Sequence, residues 1–96
     1  MNQIEALKEF KKISSEWALS EAQESALLGP DDLHRLERIA CVVSIYKSLN
    51  IIFSSSDRAS AWIKKPNDYF GGETSLDVML KGEVQKVKIY LKAQEQ

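Results

Sequence analysis

The fold of this chain is decided by the stretch Arg58-Ala-Ser-Ala-Trp-Ile-Lys-Lys-Pro-Asn-Asp-Tyr-Phe-Gly-Gly-Glu-Thr-Ser-Leu-Asp-Val-Met-Leu80, called here the knuckle segment. It predicts a short helix that is broken before Pro66, because a residue that precedes proline disfavours helical geometry. Gly71 and Gly72 then allow the chain to reverse. Thr74 stands three residues before Asp77, the spacing of a helix N-cap. The segment specifies a shape and contains no catalytic motif, which favours a binding module.

A long helix is predicted upstream of the knuckle segment. We expect it to start at Pro30, with Asp31 and Asp32 placed favourably against its N-terminal dipole. Its apolar positions form a band wider than a single contact needs, so neighbours should pack on more than one side. One face of this band contains Leu33, Leu36, Ile39, Ala40, Val43, Tyr46, Leu49 and Phe53.

Two further helices are predicted near the N-terminus. The first covers residues 2 to 13, with Ile4, Leu7, Phe10 and Ile13 at three-residue steps, and we expect Ser14-Ser15 to interrupt it. The second starts at Ser20, which with Gln23 has the spacing of a capping box, and stops at Gly29-Pro30.

Downstream, Thr74 begins a short helix, and Gly82 separates it from a last helix that carries Val84, Val87, Tyr90 and Leu91. No run shows the alternation and hairpin turns of strands. We therefore predict an all-α fold, a compact bundle of five or six helices around one long central helix. Residues 1–96 are expected to form a single helical domain, with N-terminal helices in 1–36 and the binding region in 37–96.

Composition excludes several classes of protein. The chain has 96 residues, with 13 basic and 14 acidic residues and a net charge of −1. A stand-alone nucleic-acid binder normally carries a basic excess. The N-terminus lacks the basic start and apolar core of a signal peptide, and no apolar run approaches the roughly 20 residues needed to span a bilayer. We expect a cytoplasmic protein without membrane contact.

The sequence offers little for catalysis. His34 is the only histidine and Cys41 the only cysteine, and neither has a metal-motif partner. We expect His34 at the surface near a helix start, and Cys41 packed as a small apolar group. No enzyme activity, cofactor, catalytic residue or metal site is predicted. Trp62 is interpreted as a core residue, whereas Tyr69 and Phe70 fit the core and an exposed interface equally well.

DNA binding is the alternative that the N-terminal part suggests. Residues 19–29 could form the first half of a reduced helix-turn-helix, within a candidate DNA-binding region at residues 17–40. The following helix offers only His34, Arg35 and Arg38 to a groove near its start, and Arg35 and Arg38 are the candidate DNA-binding residues. Asp31 and Asp32 precede them, and phosphates would be repelled by these carboxylates.

The knuckle segment resembles the toxin-binding domain of Xre/MbcA/ParS-type antitoxins. The resemblance covers residues 37 to 91, including the long helix before the segment. It rests on Ala59, Trp62, Ile63, Pro66, Asn67, Phe70, Gly71 or Gly72, and Leu76. Ser75 stands where the family tends to have proline, and the space between Gly29 and Arg38 is short for a recognition helix.

The resemblance implies an antitoxin that binds and neutralises a cognate toxin, typically a RES-domain enzyme that consumes NAD, by covering the entrance of its active site. We assign partner contacts to the turn at 64–72 and to the polar face of the last helix. The candidate residues are Lys64, Lys65, Asn67, Tyr69, Phe70, Lys88 and Lys92. A DNA-binding regulator, and an adaptor or homodimer that shares the fold, remain as alternatives.

Overall fold

A computed structural model describes residues 2–95 and contains six α-helices in this range. They are α1 (Gln3–Trp17), α2 (Glu21–Leu28), α3 (Arg35–Ile52), α4 (Ser56–Ile63), α5 (Ser75–Leu80) and α6 (Val84–Gln94). A 3₁₀ turn, Asp68–Phe70, lies between α4 and α5. Within residues 2–95 the only strand-like pairing is an isolated bridge between Pro66 and Thr74. The predicted all-α fold is confirmed.

α3 is the central helix, as its wide apolar band predicted. Cys41, Val42 and Val43 are consecutive and all buried. Because successive residues of an α-helix point about 100° apart, three consecutive buried positions require neighbours on more than one side. α1, α2, α4 and α6 supply these neighbours. Ile45 and Leu49 are fully buried between them, and each such side chain stabilises the fold by about 1.5–3 kcal/mol.

The predicted break of the first helix at Ser14-Ser15 is wrong, since α1 continues to Trp17. Ser14 is only 2% exposed, and its hydroxyl lies close enough to the Glu24 carboxylate of α2 to lower the pKa of that carboxyl. A partner outside the helix removes the competition for backbone groups that usually makes serine a weak helix former. α1 ends where Ala18 takes a left-handed conformation and donates its N–H to the carbonyls of Ser14 and Ser15.

The apolar face of α1 also differs from the prediction. Ile4 is 71% and Leu7 38% exposed, whereas Ala6, Phe10 and Ile13 are buried. Steps of three residues rotate about 60° short of a full turn each, so positions 4, 7, 10 and 13 drift around the helix and only the last two reach the core. Trp17, one turn after Ile13, completes the buried face.

The long helix starts later than predicted, at Arg35 rather than at Pro30. The Asp31 carboxylate accepts a hydrogen bond from the His34 backbone N–H at 3.0 Å, and this local turn replaces the first helical turn. Leu33 therefore lies before the helix and is 81% exposed, and Leu36 is also exposed, although both were predicted on the core face. His34, at the helix start, is exposed as expected, and Cys41 is buried.

The predicted helix caps are confirmed. Ser20 and Gln23 form a capping box at the start of α2, and the Thr74 hydroxyl accepts from the Asp77 N–H at 3.0 Å. Ser55 caps α4 in the same way. These caps satisfy backbone donors that a helix start leaves without partners.

Glu16 fixes α4, and with it the knuckle segment, to the rest of the bundle. Its carboxylate accepts a hydrogen bond from the Tyr46 hydroxyl of α3 at 2.5 Å. Its backbone carbonyl accepts from the Ser60 hydroxyl of α4 at 3.1 Å. One residue of α1 thus contacts both α3 and α4 through polar groups.

The connection between α2 and α3 depends on Gly29 and Arg38. Gly29 has φ +82°, and a Cβ atom there would meet the Arg38 guanidinium at 2.2 to 2.7 Å. That guanidinium lies 3.4 Å from the Leu28 carbonyl and 3.7 Å from the Asp31 carboxylate. Because Gly29 has no side chain, the Arg38 guanidinium can pack against it and contact the residues on both sides, Leu28 and Asp31.

We predict that Glu24→Gln makes the free energy of unfolding less dependent on pH. The Ser14 hydroxyl and the Lys11 ammonium lower the pKa of Glu24 below its ordinary value of 4.5. A carboxyl whose folded pKa is depressed stabilises the fold above its unfolded pKa, and this contribution is lost as pH falls through the folded pKa. Urea unfolding at pH 7 and pH 3 should show a smaller difference for Glu24→Gln than for the wild type. Glu9→Gln, at an exposed carboxylate of α1, is the control and should retain the wild-type difference.

We predict that Gly29→Ala lowers the free energy of unfolding by about 1–3 kcal/mol, because it combines a strained φ with displacement of Arg38. In an Arg38→Ala background the same change should cost less, since the displaced group is absent, and a double-mutant cycle measures this coupling. Gly71→Ala is the control for φ alone, because at Gly71 a Cβ atom would meet nothing within 4 Å. Equal costs of Gly29→Ala in both backgrounds would contradict the role of Arg38.

Candidate protein-binding site

Asn67 organises the turn in the middle of the knuckle segment. Its side-chain oxygen accepts from the Tyr69 N–H at 2.8 Å. Its backbone carbonyl accepts from the N–H groups of Phe70 and Gly72, and its own N–H donates to the Glu73 carbonyl, each at 3.0 Å. The side-chain oxygen, the carbonyl and the N–H of Asn67 thus all form hydrogen bonds within the turn, so this residue stabilises the shape of the turn.

The turn separates two neighbouring aromatic residues. Gly71 and Gly72 have φ values of +67° and +90°, which only glycine adopts without strain, so the predicted reversal is confirmed. Phe70 enters the core and is 5% exposed, whereas Tyr69 remains 59% exposed. The sequence fitted both residues to the core and to an exposed interface equally well. The structure places Phe70 in the core and Tyr69 on the surface.

Ser75 joins the end of α4 to the start of α5. It is the first residue of α5 after the N-cap Thr74, and it is 1% exposed. Its hydroxyl donates to the Ile63 carbonyl at 3.4 Å, a group at the helix C-terminus that lacks an intrahelical partner. Serine at this position thus provides a hydrogen bond that a proline could not provide.

An aromatic strip lies beside the turn and consists of Phe53, Trp62, Tyr90 and Tyr69, which reach the surface, and the buried Phe70. The Trp62 and Tyr90 rings are nearly parallel, with centroids 6.2 Å apart and an interplanar angle of 10°. Phe53 lies 6.2 Å from Trp62 at the other side. Tyr90 also contacts Tyr69 at 4.4 Å and Phe70 at 5.4 Å. Such offset and edge contacts fix ring orientations before any partner arrives.

A cleft opens along this strip between α4 and α6. Its volume is about 110 Å³, and it is lined by Ile52, Phe53, Trp62, Tyr90, Leu91 and Gln94. Trp62 packs against the core, as predicted, but it is only partly buried and also faces the cleft. The sequence analysis missed Phe53 and Tyr90 as site residues. They are 37 positions apart in the chain, and no local pattern connects them.

The structure brings together only some of the predicted partner-binding residues. Lys64 and Lys65 are exposed at the end of α4 and continue directly into the turn with Asn67, Tyr69 and Phe70. Lys88 and Lys92 lie elsewhere. Each is two residues from Tyr90, so each points about 160° away from it around the axis of α6. Their partner contacts, like those of the whole set, stay a prediction.

The two arginines proposed for DNA contact are engaged within the chain. Arg35 lies 3.2 Å from the Asp32 carboxylate, and Arg38 contacts Asp31 and the Leu28 carbonyl. Arg38 is the more constrained of the two, because it also covers Gly29. DNA contact through these residues stays a prediction.

Residues 2–95 contain neither a metal-ligand cluster nor a membrane-spanning helix. No group of three or more His, Cys, Asp or Glu side chains in this range could hold a metal ion. No helix formed by these residues is sufficiently long and apolar to cross a membrane.

Residues 48–96 match the family described as the antitoxin Xre/MbcA/ParS C-terminal toxin-binding domain. The chain belongs to this family, whose domains bind toxins. The match includes the whole knuckle segment and all residues of the strip and the cleft.

One relative extends the similarity beyond that domain. The chain is 35% identical over 108 aligned residues to the uncharacterized protein y4oB of Sinorhizobium fredii (strain NBRC 101917 / NGR234). The alignment covers 92% of this chain and 82% of the relative. No solved structure matches the chain.

We predict that Asn67→Ala lowers the free energy of unfolding by about 1 kcal/mol, since it removes the side-chain acceptor of the Tyr69 N–H. Asn67→Asp retains an acceptor and should cost less. Thermal or urea unfolding measures the difference between the two variants. Equal destabilisation by both would contradict a role for the side-chain oxygen.

Proposed function

We propose that this chain is an antitoxin that binds a cognate toxin enzyme and neutralises it by steric occlusion. The observation that carries the proposal is the family match over residues 48–96, which coincides with the knuckle segment, the aromatic strip and the cleft. A stacked aromatic surface is also typical of interface anchors, because Trp and Tyr provide large contact areas at low entropic cost.

The proposed partner is a RES-domain toxin that consumes NAD, and the proposed site of action is the cytoplasm. The RES assignment follows from the family resemblance stated above, and the cytoplasmic location is carried over from the expectation based on the sequence pattern. An antitoxin of this kind needs no catalytic group of its own, since it acts by covering the entrance to another protein's active site.

The proposed contact surface is centred on the turn. Tyr69 is its best placed residue, because it is 59% exposed and held by Tyr90 and Phe70 at 4.4 and 5.2 Å. Lys64 and Lys65 extend the surface towards α4. Phe70 and Asn67 support it from within, and Lys88 and Lys92 would contribute from the other flank of α6 to a partner that wraps around this helix.

The alternatives are a DNA-binding regulator and a homodimeric adaptor. No observation favours DNA binding over toxin binding, because Arg35 and Arg38 are both paired with aspartates. Size-exclusion chromatography with light scattering on the chain alone tests the homodimer.

We predict that co-expression of this chain rescues growth of cells that express the product of the neighbouring open reading frame. For a RES-type toxin, rescue should be accompanied by recovery of cellular NAD. Failure to form a complex and failure to rescue growth would contradict the antitoxin function. Rescue without any change in NAD would contradict only the RES assignment.

We further predict that Tyr69→Ala weakens the complex with this gene product at least tenfold in titration calorimetry, since it removes an exposed aromatic anchor. Leu33→Ala is the matched control. Leu33 is 81% exposed but lies outside residues 48–96, so its loss should leave the affinity unchanged. Equal losses for both variants would remove Tyr69 from the interface.

A further inference from the structure

We infer that the cleft between α4 and α6 is the anchor point for the toxin, and that it receives one aliphatic side chain from a segment of the toxin that is flanked by carboxylates. The inference rests on the proposed function and deepens it, since it assigns a place and a chemistry to the contact. The cleft is defined by Ile52, Phe53, Trp62, Tyr90, Leu91 and Gln94.

The size of the cleft determines what can enter. Its volume is about 110 Å³. Sites for drug-sized molecules occupy about 300–1,000 Å³, so the cleft is too small for a cofactor or a metabolite of that size. It has room for one side chain of a protein partner, the usual scale of an interface anchor.

The lining determines the chemistry of that side chain. Five of the six lining residues are apolar or aromatic, and none is charged. Trp62 and Tyr90, stacked at 6.2 Å, provide flat apolar walls, and Ile52 and Leu91 provide aliphatic ones. A charged side chain would lose its hydration here without gaining a counter-ion. An aliphatic side chain would displace water from apolar surface at no such cost.

The charged residues near the cleft indicate which residues should flank the aliphatic side chain of the partner. Arg58 lies four residues before Trp62 on α4, and Lys86 lies four residues before Tyr90 on α6, so each projects on the same side of its helix as the aromatic residue. Lys65 follows Trp62 by three residues. All three cations are exposed, and none takes part in an ion pair formed within residues 2–95. Each of the two helices thus carries an exposed cation, unpaired within residues 2–95, one turn from its aromatic residue in the uncharged cleft, and this arrangement is complementary to carboxylates on the partner.

Exposed apolar side chains also occur outside the cleft, among them Ile51 at 66% and Ile89 at 65% within residues 48–96, but no aromatic pair within residues 2–95 accompanies them. Ile4 is 71% exposed on α1 and Leu33 is 81% exposed before α3, so exposure of apolar groups is not confined to the cleft. These two residues lie outside the toxin-binding match, whereas every residue of the cleft and the three nearby cations lie inside residues 48–96. The cleft is thus continuous with the region that the family uses for toxins.

The test compares two charge reversals in the full chain. Arg58→Glu with Lys86→Glu is the α4/α6 reversal, and Lys8→Glu with Lys47→Glu is the matched control, because it makes the same change in net charge at exposed lysines outside residues 48–96. The probe is the purified product of the neighbouring open reading frame, titrated into each variant by calorimetry. We expect at least tenfold weaker binding for the α4/α6 reversal, with a reduced salt dependence, and less than threefold for the control.

Tryptophan fluorescence provides an independent measurement that needs no substitution. Trp17 is 1% exposed and Trp62 is partly exposed, so quenching by acrylamide reports mainly Trp62. We expect quenching to fall when the complex forms.

The outcomes separate the two proposals. If the wild type forms a complex but the α4/α6 reversal binds as tightly as the control, or quenching is unchanged, the cleft assignment is overturned and the antitoxin function stands. If quenching of the chain alone falls as its concentration rises and it dimerises, a second copy occupies the cleft and the inference is equally overturned. If the wild type forms no complex with the probe, the proposed function itself fails, and the inference fails with it.

Discussion

The structure depends on the burial of α3 around most of its circumference. A helix with three consecutive buried residues, Cys41 to Val43, cannot lie on the surface of a bundle, because no single neighbour covers so wide an arc. α1, α2, α4 and α6 therefore have to pack around it. The knuckle segment contains the chain reversal between α4 and α5, which α6 follows.

The knuckle segment positions the residues of the candidate binding surface on this bundle. Asn67, the glycine pair and Ser75 use backbone and short polar groups to fix the turn, and none of them adds much exposed area. Their effect is to hold Phe70 inside and Tyr69 outside on consecutive positions of the chain. Tyr90 of α6 contacts both rings, so the exposed ring has a rigid support. A surface prepared in this way loses little conformational entropy when a partner binds.

Polar contacts inside the N-terminal half explain why local rules failed there. Serine at position 14 is a weak helix former by propensity, but its hydroxyl lies beside the Glu24 carboxylate of α2 and the helix continues. Proline at position 30 should begin a helix, but the Asp31 carboxylate caps the His34 N–H and delays the start by several residues. In both places a polar contact made by one side chain outweighed a propensity difference, which amounts to less than about 1 kcal/mol per residue for serine.

The sequence by itself determined the helical class, the central position of the long helix, the caps at Ser20 and Thr74 and the turn at 66–72. These features follow from contacts between residues a few positions apart, which a sequence displays directly. It also identified Asn67 and Tyr69 as parts of one candidate surface. Only the tertiary structure decided that Phe53, Trp62 and Tyr90 form one strip with Tyr69, that Lys88 and Lys92 lie on another flank, and that Ile4 and Leu33 face solvent. The physical reason is that a helix fixes the direction of each side chain relative to its own axis, whereas the packing of whole helices decides which of those directions meet.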